Sequence, residues 1–196
     1  EDAKKESEQR YHFLFYNNPM PMWVFAEDSL RFLDVNRRAI EHYGDTQEEF
    51  SRMTLHDIRP AEDIPNLKHV ISATPDGVVT VETRHIKKDG TVIDVSVSTM
   101  PMKYGETQAR IVLIQDITGR KQADEQLRKL AQAVEQSPES IVITNLASEI
   151  EYVNDAFIQS TGYSREEALG QNPRILQSGK TSPDVYGAMW NALSKG

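Results

Sequence analysis

Residues 15–50 read FYNNPMPMWVFAEDSLRFLDVNRRAIEHYGDTQEEF, and residues 134–168 read VEQSPESIVITNLASEIEYVNDAFIQSTGYSREEA. The second stretch is an imperfect repeat of the first, because Asn154 follows Asn36 by 118 positions and the downstream glycines and glutamate pairs keep that interval. The Asn-Pro and Ser-Pro dipeptides near the start of the two copies lie 119 positions apart, which places one extra residue in the first hairpin loop of the first copy. Self-similarity of this kind predicts two copies of one domain.

The first copy begins with short strand and helix patterns. Two strands joined by a polar turn are predicted at 23–26 and 30–35. Helices are predicted to follow over 37–43, 46–52 and 63–72. Gly44 is placed to end the first of these helices, and Thr46 with Glu49 has the capping-box spacing that begins the second.

Three further strands are predicted to complete this copy, at 78–87, 92–104 and 108–118. The Asp-Gly dipeptide at 89–90 is a strong hairpin signal between the first two. Ile93, Val95 and Val97 alternate with polar residues, as in a strand with one buried face. Two strands, a helical excursion and three antiparallel strands predict an α+β domain, with a five-stranded antiparallel sheet and helices on one face.

From residue 119 to residue 136 the sequence changes to GRKQADEQLRKLAQAVEQ, which predicts a linker helix. Its apolar residues have the four-three-four spacing of a seam that pairs with a second helix, and they are Ala123, Leu127, Leu130 and Val134. Two heptads do not establish a coiled coil, so an amphipathic linker that packs on its own domain is the alternative.

Composition excludes several classes of function. The 196 residues contain no cysteine and carry a net charge of −8. Without thiols there is no disulfide, thiolate zinc site, iron–sulfur cluster or cysteine nucleophile, and we expect a reducing, cytoplasmic environment. A surface this acidic disfavours nucleic acid and anionic membranes. No apolar run approaches the roughly 20 residues of a membrane span, so we expect no membrane contact from this stretch, although segments outside it could anchor a longer parent.

The order of short motifs resembles that of the PAS family of sensor domains. The motifs are Asn-Pro before the first strand, VN before the first helix, YG and TGYS each followed by a glutamate pair, HDIRPAED at 56–63, KKDGTVIDVSVS at 87–98 and DITGRK at 116–121. In PAS sensors an Asp-Ile-Thr triplet commonly closes the last strand and leads into the output helix. Here the triplet is Asp116, Ile117 and Thr118. The resemblance covers residues 11–120 as a whole domain and 134–196 as a partial one, and it implies the PAS fold.

The resemblance divides the chain into four segments. They are an N-terminal helix (1–16), a complete PAS domain (17–118), a signalling or linker helix (119–136) and the N-terminal half of a second PAS domain (137–196). The second copy ends before the equivalents of residues 80–117. We therefore expect residues 1–196 to be part of a longer protein, with a partial domain that is poorly packed or borrows another molecule's surface.

LGQNPRILQSGKT, residues 169–181, resembles the flavin-binding helix of light-sensing PAS domains of the LOV type. Pro173 occupies the position of the photoreactive cysteine, so a cysteinyl–flavin adduct cannot form. One interpretation is a redox-sensing flavin, with Arg174 at a phosphate, with Asn154, Asn172 and Gln177 at the polar edge of the ring, and with Trp190 nearby. The alternative is a helix cap with a surface polar network and no cofactor.

Other candidate sites are weaker. The GKT within this stretch lacks the glycine spacing of a phosphate-binding loop. The histidines are scattered, so we expect no metal site; they are His12, His42, His56, His69 and His85. His69 lies on the predicted long helix, where some haem PAS domains place an axial ligand, but one histidine there does not predict haem. We find no assembled catalytic set and expect no enzymatic activity from these residues.

In the first copy, adaptable apolar side chains suggest either a ligand pocket or an ordinary core. The candidates are Met20, Met22, Trp23, Met53, Met100 and Met102.

The sequence therefore predicts a non-catalytic sensory module. The first domain would receive a small ligand, a redox state or a partner and relay it through the triplet 116–118 and the linker seam to an output domain in the same chain. By resemblance the output is a histidine kinase or a cyclic-di-GMP synthase or phosphodiesterase. We expect a homodimer that pairs through the N-terminal and linker helices. The alternative is a ligand-free PAS platform for dimerisation.

Overall fold

The computed structural model describes residues 10–65, 67, 77–179 and 182–193. The chain divides into two compact units, Glu1–Ala123 and Asp124–Gly196. One helix, Thr118–Glu135, begins in the first unit and ends in the second.

The first unit combines a five-stranded sheet with short helices. In chain order its elements are α1 (10–16), β1 (Met22–Ala26), β2 (Phe32–Val35), α2 (Arg37–Tyr43), α3 (Gln47–Phe50), a 3₁₀ turn (Ala61–Asp63), β3 (Val79–Ile86), β4 (Val92–Tyr104), β5 (Thr107–Asp116) and the beginning of α4 (Thr118–Glu135). The strand order is β2-β1-β5-β4-β3, and every neighbouring pair is antiparallel. The predicted α+β fold with a five-stranded antiparallel sheet is confirmed.

The short helices begin and end where their capping residues stand. Asn36 accepts a hydrogen bond from the Ala39 amide at the start of α2, and Gly44 ends that helix at φ 87°, a left-handed conformation that glycine adopts without strain. Thr46 and Glu49 form the predicted capping box of α3. This helix is shorter than the predicted 46–52, because it ends at Phe50 with Ser51 as its C-cap.

The sheet buries side chains on both of its faces, since neighbouring residues of a strand point in opposite directions. The main core, with α2 and α3 packed on it, includes Trp23, Phe32, Tyr43, Phe50 and Ile114. On the other face, Phe15 of α1 packs against Val24 and Ala109. Helix α1 thus covers the face that α2 and α3 do not.

The second unit repeats the opening of the first. After α4 it contains β6 (Val142–Thr144), β7 (Ile150–Val153), α5 (Asp155–Thr161), α6 (Arg165–Ala168), a 3₁₀ turn (Pro173–Leu176) and α7 (Pro183–Leu193). Strands β6 and β7 pair antiparallel, with a register irregularity at Ile143/Thr144 that matches the one at Val24/Phe25 in the first unit. A small core of Ile150, Val153, Phe157 and Ala168 holds these elements together.

Of the predicted N-terminal helix over 1–16, residues 1–9 lie outside the described residues. Most of the predicted helix over 63–72, with His69 on it, lies outside the described residues, although Ile64 and Pro65 are helical. The predicted final strand over 108–118 is Thr107–Asp116, because Thr118 already begins the helix.

Candidate functional site

The triplet 116–118 attaches the start of α4 to Asp94, near the beginning of β4. The Ile117 amide donates to the carbonyl oxygen of Asp94 at 2.9 Å. The Thr118 hydroxyl oxygen accepts from the Asp94 amide at 2.9 Å and donates to its carbonyl oxygen at 3.3 Å. Oδ1 of Asp116 accepts from the Thr118 amide at 2.9 Å. The junction between β5 and α4 is therefore held by hydrogen bonds to the backbone of β4, an inner strand of the sheet.

Basic side chains in the first turn of α4 strengthen this attachment. Lys121 Nζ lies 3.0 Å from Asp94 Oδ1 and 3.1 Å from Glu82 Oε2. Arg120 lies 2.9 Å from Glu82 Oε1. The hydrogen bond to Asp94 raises the pKa of Lys121, so this side chain is charged. Exposed pairs of this kind add little stability one by one, but here they join one turn of helix to two strands.

His42, at the end of α2, also reaches the triplet. Its Nε2 lies 3.4 Å from Asp116 Oδ2. Burial lowers the pKa of His42, and the positive charge of Lys87 lowers it further. Burial alone would raise the pKa of Asp116, but the hydrogen bonds from Thr118 outweigh it and leave that pKa below its usual value. Helix α2 and the start of α4 thus meet at one carboxylate.

A polar cluster lies inside the main core, next to α2. The Tyr43 hydroxyl is 2.7 Å from Nδ1 of His85, and both side chains are buried. The Trp23 ring lies against both of them, with ring centroids 5.5 Å and 5.9 Å away. Nearby, Arg59 donates through Nη1 to the Thr83 hydroxyl at 3.0 Å. Burial, with Arg59 next in importance, holds the pKa of His85 well below its usual value, so the ring is neutral.

Several nitrogens of this cluster are buried without a partner among the residues that the structure describes. They are Nε1 of Trp23, Nε2 of His85 and Nε of Arg59. A buried polar atom left without a hydrogen bond is costly, and such atoms often mark a place where a ligand or ordered water binds. Among these atoms, the nitrogens of Trp23 and Arg59 are hydrogen-bond donors.

Five of the six residues predicted to line one pocket can be placed, and they do not come together. Trp23 lies in the main core and Met53 packs against it, whereas Met22 and Met102 belong to the cluster around Phe15 on the other face of the sheet. Met100 is 45% exposed. The prediction of a single pocket is corrected for a simple reason: adjacent strand residues such as Met22 and Trp23 point to opposite faces.

Asn154 has a structural role instead of the predicted contact with a flavin ring. Its side-chain oxygen accepts from the amides of Ile141 at 2.9 Å and Phe157 at 3.1 Å. Its side-chain nitrogen donates to the carbonyl oxygens of Val134 at 3.1 Å and Glu139 at 2.9 Å. The amide is fully buried and its hydrogen-bonding groups are occupied by the backbone.

The other predicted flavin residues lie on or near the 3₁₀ turn. Asn172 caps it by accepting from the Arg174 amide at 3.1 Å, and the side chains of Arg174 and Gln177 are exposed. Trp190 lies in α7, and its side chain is outside the description. With Asn154 occupied by the backbone, the described residues do not assemble a polar cradle for the edge of a flavin ring.

The linker seam is open in this chain. Leu127 and Leu130 are 66% and 64% exposed, Ala123 is exposed and Val134 is half-buried.

The buried cluster was missed by the sequence reasoning. His85 was grouped with the other scattered histidines, although its place in β3 carried a signal: Val81, Thr83 and His85 alternate along one face of a strand. The partner Tyr43 is separated from His85 by 42 positions, so only the fold brings them together.

Among the described helices, none is long and apolar enough to cross a membrane. Within the same residues, no group of three or more histidine, aspartate, glutamate or cysteine side chains is arranged to hold a metal ion.

Two family models match the chain. One, described as a PAS domain, matches residues 19–119, which is more than half of the 196 residues. The other, described as a PAS fold, matches residues 128–196.

Curated relatives are sensors and regulators. A methyl sulfide methyltransferase-associated sensor of Methanosarcina acetivorans is 30% identical over 63% of this chain. A nitrogen fixation regulatory protein of Klebsiella pneumoniae is 43% identical over 31%, and a blue-light-activated histidine kinase of Erythrobacter litoralis is 47% identical over 29%. The matched segments make up only 12%, 12% and 17% of those proteins.

Solved structures share the fold at low identity. The PAS domain of an HTR-like protein from Haloarcula marismortui has a TM-score of 0.52 and 20% identity over 59% of this chain and 96% of its own. A PAS domain from Colwellia psychrerythraea has a TM-score of 0.51 and 20% identity over 61% of this chain and 100% of its own. These likenesses concern architecture alone.

Proposed function

Because this chain belongs to the PAS domain family and is homologous to the sensor domains of histidine kinases and regulators, we propose that it is a signal-relay module. In this proposal the first PAS domain perceives a small ligand, and α4 carries the response to the residues that follow. In the same proposal, residues 137–196 belong to a second PAS copy. The module itself catalyses no reaction.

The attachment of α4 to Asp94 is the observation that supports the relay most directly. Ile117 and Thr118 share both backbone groups of Asp94, and Lys121 binds its side chain. Because Asp94 lies within β4, a shift of that strand displaces the first turn of the helix. A helix is stiff along its length, so the displacement would reach its far end as a translation or rotation.

The buried cluster supports perception of a small molecule with acceptor oxygens, such as a carboxylate. Arg59 supplies a positive charge and Trp23 supplies an N–H donor. Among the described residues, neither Nε of Arg59 nor Nε1 of Trp23 has a hydrogen-bond partner. A carboxylate that satisfied these donors would also change the packing around His85 in β3, the strand that pairs with β4.

The output belongs to the same proposal. Relatives that share part of this sequence include the sensor histidine kinase TmoS of Ectopseudomonas mendocina and a blue-light-activated histidine kinase, which favours a kinase over the cyclic-di-GMP enzymes also expected from the sequence. The open seam on α4 supports a homodimer in which two linker helices pair.

Acetate and formate are suitable probes of the first domain. In a Trp190→Phe background Trp23 is the remaining tryptophan, so its emission reports the cluster. We expect acetate to change that emission and to change amide exchange at Lys121, and we expect an Arg59→Met variant to abolish both responses. A response of Trp23 that leaves Lys121 unchanged would contradict the relay.

A second candidate is a dimerisation platform that binds no ligand. It is favoured by the filling of the main core with aromatic side chains, namely Trp23, Phe32, Tyr43 and Phe50. In that case the protein is a dimer in sedimentation equilibrium and neither probe alters the emission of Trp23.

A further inference from the structure

Both copies of the repeat hold the preceding helix with a tyrosine–carboxylate hydrogen bond, but donor and acceptor are exchanged. In the first copy the Tyr16 hydroxyl, at the end of α1, donates to Oδ1 of Asp34 in β2 at 2.7 Å. In the second copy the Tyr152 hydroxyl, in β7, donates to Oε2 of Glu135 at the end of α4. Residue 135 follows residue 16 by 119 positions and residue 152 follows residue 34 by 118, so the two pairs are equivalent.

An asparagine makes a second link at the same place in each copy. Nδ2 of Asn36 donates to the carbonyl oxygen of Phe15 at 3.1 Å, and Nδ2 of Asn154 donates to that of Val134 at 3.1 Å. These carbonyls lie in the last turns of α1 and α4, where helices leave carbonyl groups without internal partners. Each copy therefore grips the end of its entry helix at one backbone carbonyl and one side chain.

The contacts of the second copy with α4 lie at the last residues of the helix. Every residue from 122 to 133 is exposed, and burial resumes at Val134 and Glu135. Glu135 binds Arg165 of α6 at 2.6 Å as well as Tyr152, and Arg165 lies 3.3 Å from Asp155. Motion of α4 thus enters the second unit at a small cluster next to β7.

We propose that Glu135 and Tyr152 are positioning residues through which the second copy holds the end of the linker helix, so that a displacement of the helix is passed to β7 by this pair. The exchange of tyrosine and carboxylate between the copies supports the role, because it preserves the link while changing the side chain at each position. The proposal rests on the relay proposed above and names where the relay enters the second unit.

The reversed positions of tyrosine and carboxylate in the two copies suggest the test. It measures amide hydrogen exchange by NMR in the full chain. The reporters are the amides of Gln136 and Ser137, which bond to the carbonyls of Gln132 and Val134. We expect Tyr152→Phe, which removes only the hydroxyl, to speed their exchange about tenfold. Glu135→Tyr alone and Tyr152→Asp alone should have effects at least as large.

The double variant Glu135→Tyr/Tyr152→Asp recreates the arrangement of the first copy, and we expect it to restore exchange to within about threefold of the wild type. Tyr163→Phe is the matched control, since its hydroxyl bonds within the second unit to the Ile175 carbonyl away from α4, and the reporters should not respond to it. The proposal would be overturned if Tyr152→Phe left the exchange rates of the Gln136 and Ser137 amides unchanged. It would also be overturned if these amides exchanged as fast in a folded double variant as in the single variants.

Failure here is distinguishable from failure of the relay itself. The amide of Lys121, which bonds to Ile117 at the other end of α4, reports the attachment to the first unit. If only the role of the Glu135–Tyr152 pair is wrong, the amide of Lys121 still responds to acetate. If the relay is wrong, Lys121 does not respond to acetate, but the double variant still restores the amide exchange rates of Gln136 and Ser137.

Discussion

The Tyr43 hydroxyl lies 2.7 Å from Nδ1 of His85, and this pair ties the end of α2 to β3 inside the core. The residue before Tyr43 is His42, whose ring reaches Asp116 at the end of β5, two residues before α4 begins. Two consecutive residues of one helix therefore face the buried cluster and the relay triplet. A change at His85 has a short route to the linker helix.

Protonation of His85 should destabilise the first unit. Its pKa in the folded state is well below the unfolded value of 6.5, so the unfolded chain binds the proton more readily. The contribution to stability is complete above pH 6.5 and is lost as the pH falls towards the folded pKa, with a slope of at most about 1.4 kcal/mol per pH unit. His85→Gln should therefore reduce the pH dependence of the unfolding free energy, measured by urea denaturation, between pH 6.5 and pH 5, a range of about 1.5 units.

The matched control is His56→Gln, which changes a histidine outside the cluster. It should keep the slope of the wild type. An unchanged slope in His85→Gln would show that other groups carry the pH dependence.

Removing the Thr118 hydroxyl should loosen the start of α4. Thr118→Val leaves the Asp94 amide without its acceptor, and a loss of about 1–2 kcal/mol in the unfolding free energy of the first unit is expected. Exchange at Lys121 should accelerate more than exchange in β5. Thr107→Val, at an exposed position of β5, is the control and should cost less than about 0.5 kcal/mol. Equal costs for the two variants would argue against a special attachment.

Asn36 should be among the least replaceable polar residues of the first unit. It is fully buried, and its side chain bonds to the backbone of Phe15, Met20, Met22 and Ala39. Asn36→Ala should cost at least about 2 kcal/mol, because several buried groups lose their partners together. Chemical denaturation followed by Trp23 emission in a Trp190→Phe background measures this cost. The exposed Asn17→Ala is the control, and a similar loss in both variants would refute the assignment.

The open seam of α4 predicts a concentration-dependent dimer. Leu130→Glu places charge in the seam and should weaken self-association at least about tenfold, since like charges would meet in a helix pair. Gln132→Glu adds the same charge away from the seam and should leave association unchanged. Analytical ultracentrifugation of both variants gives the comparison. A monomeric wild type, or equal effects of the two substitutions, would remove the linker helix from the dimer interface.

Local patterns were sufficient for much of the fold. The alternation of Ile93, Val95 and Val97, the capping box of Thr46 and Glu49, and the C-cap at Gly44 all depend on neighbours within a few residues. Such signals act over one turn or one pleat, so they can be read without the rest of the chain. The same is true of the repeat, which located Asn36 and Asn154 as equivalent residues.

The sites depended on contacts across the chain. The predicted pocket failed because periodicity assigns residues to faces, and Met22 and Trp23 are neighbours on opposite ones. Asn154 was placed at a ligand, although its equivalence to Asn36 would have indicated a structural role in both copies.

By itself, the sequence determined the repeat, the order of strands and helices, and the sharp change into a linker helix at the triplet 116–118. Only the tertiary structure decided that Tyr43 meets His85 and that the carboxylate and the tyrosine exchange places between Tyr16–Asp34 and Glu135–Tyr152. The reason is physical: a side-chain hydrogen bond requires two groups within about 3 Å, and the spacing of residues along a chain does not fix that distance until the sheet has closed.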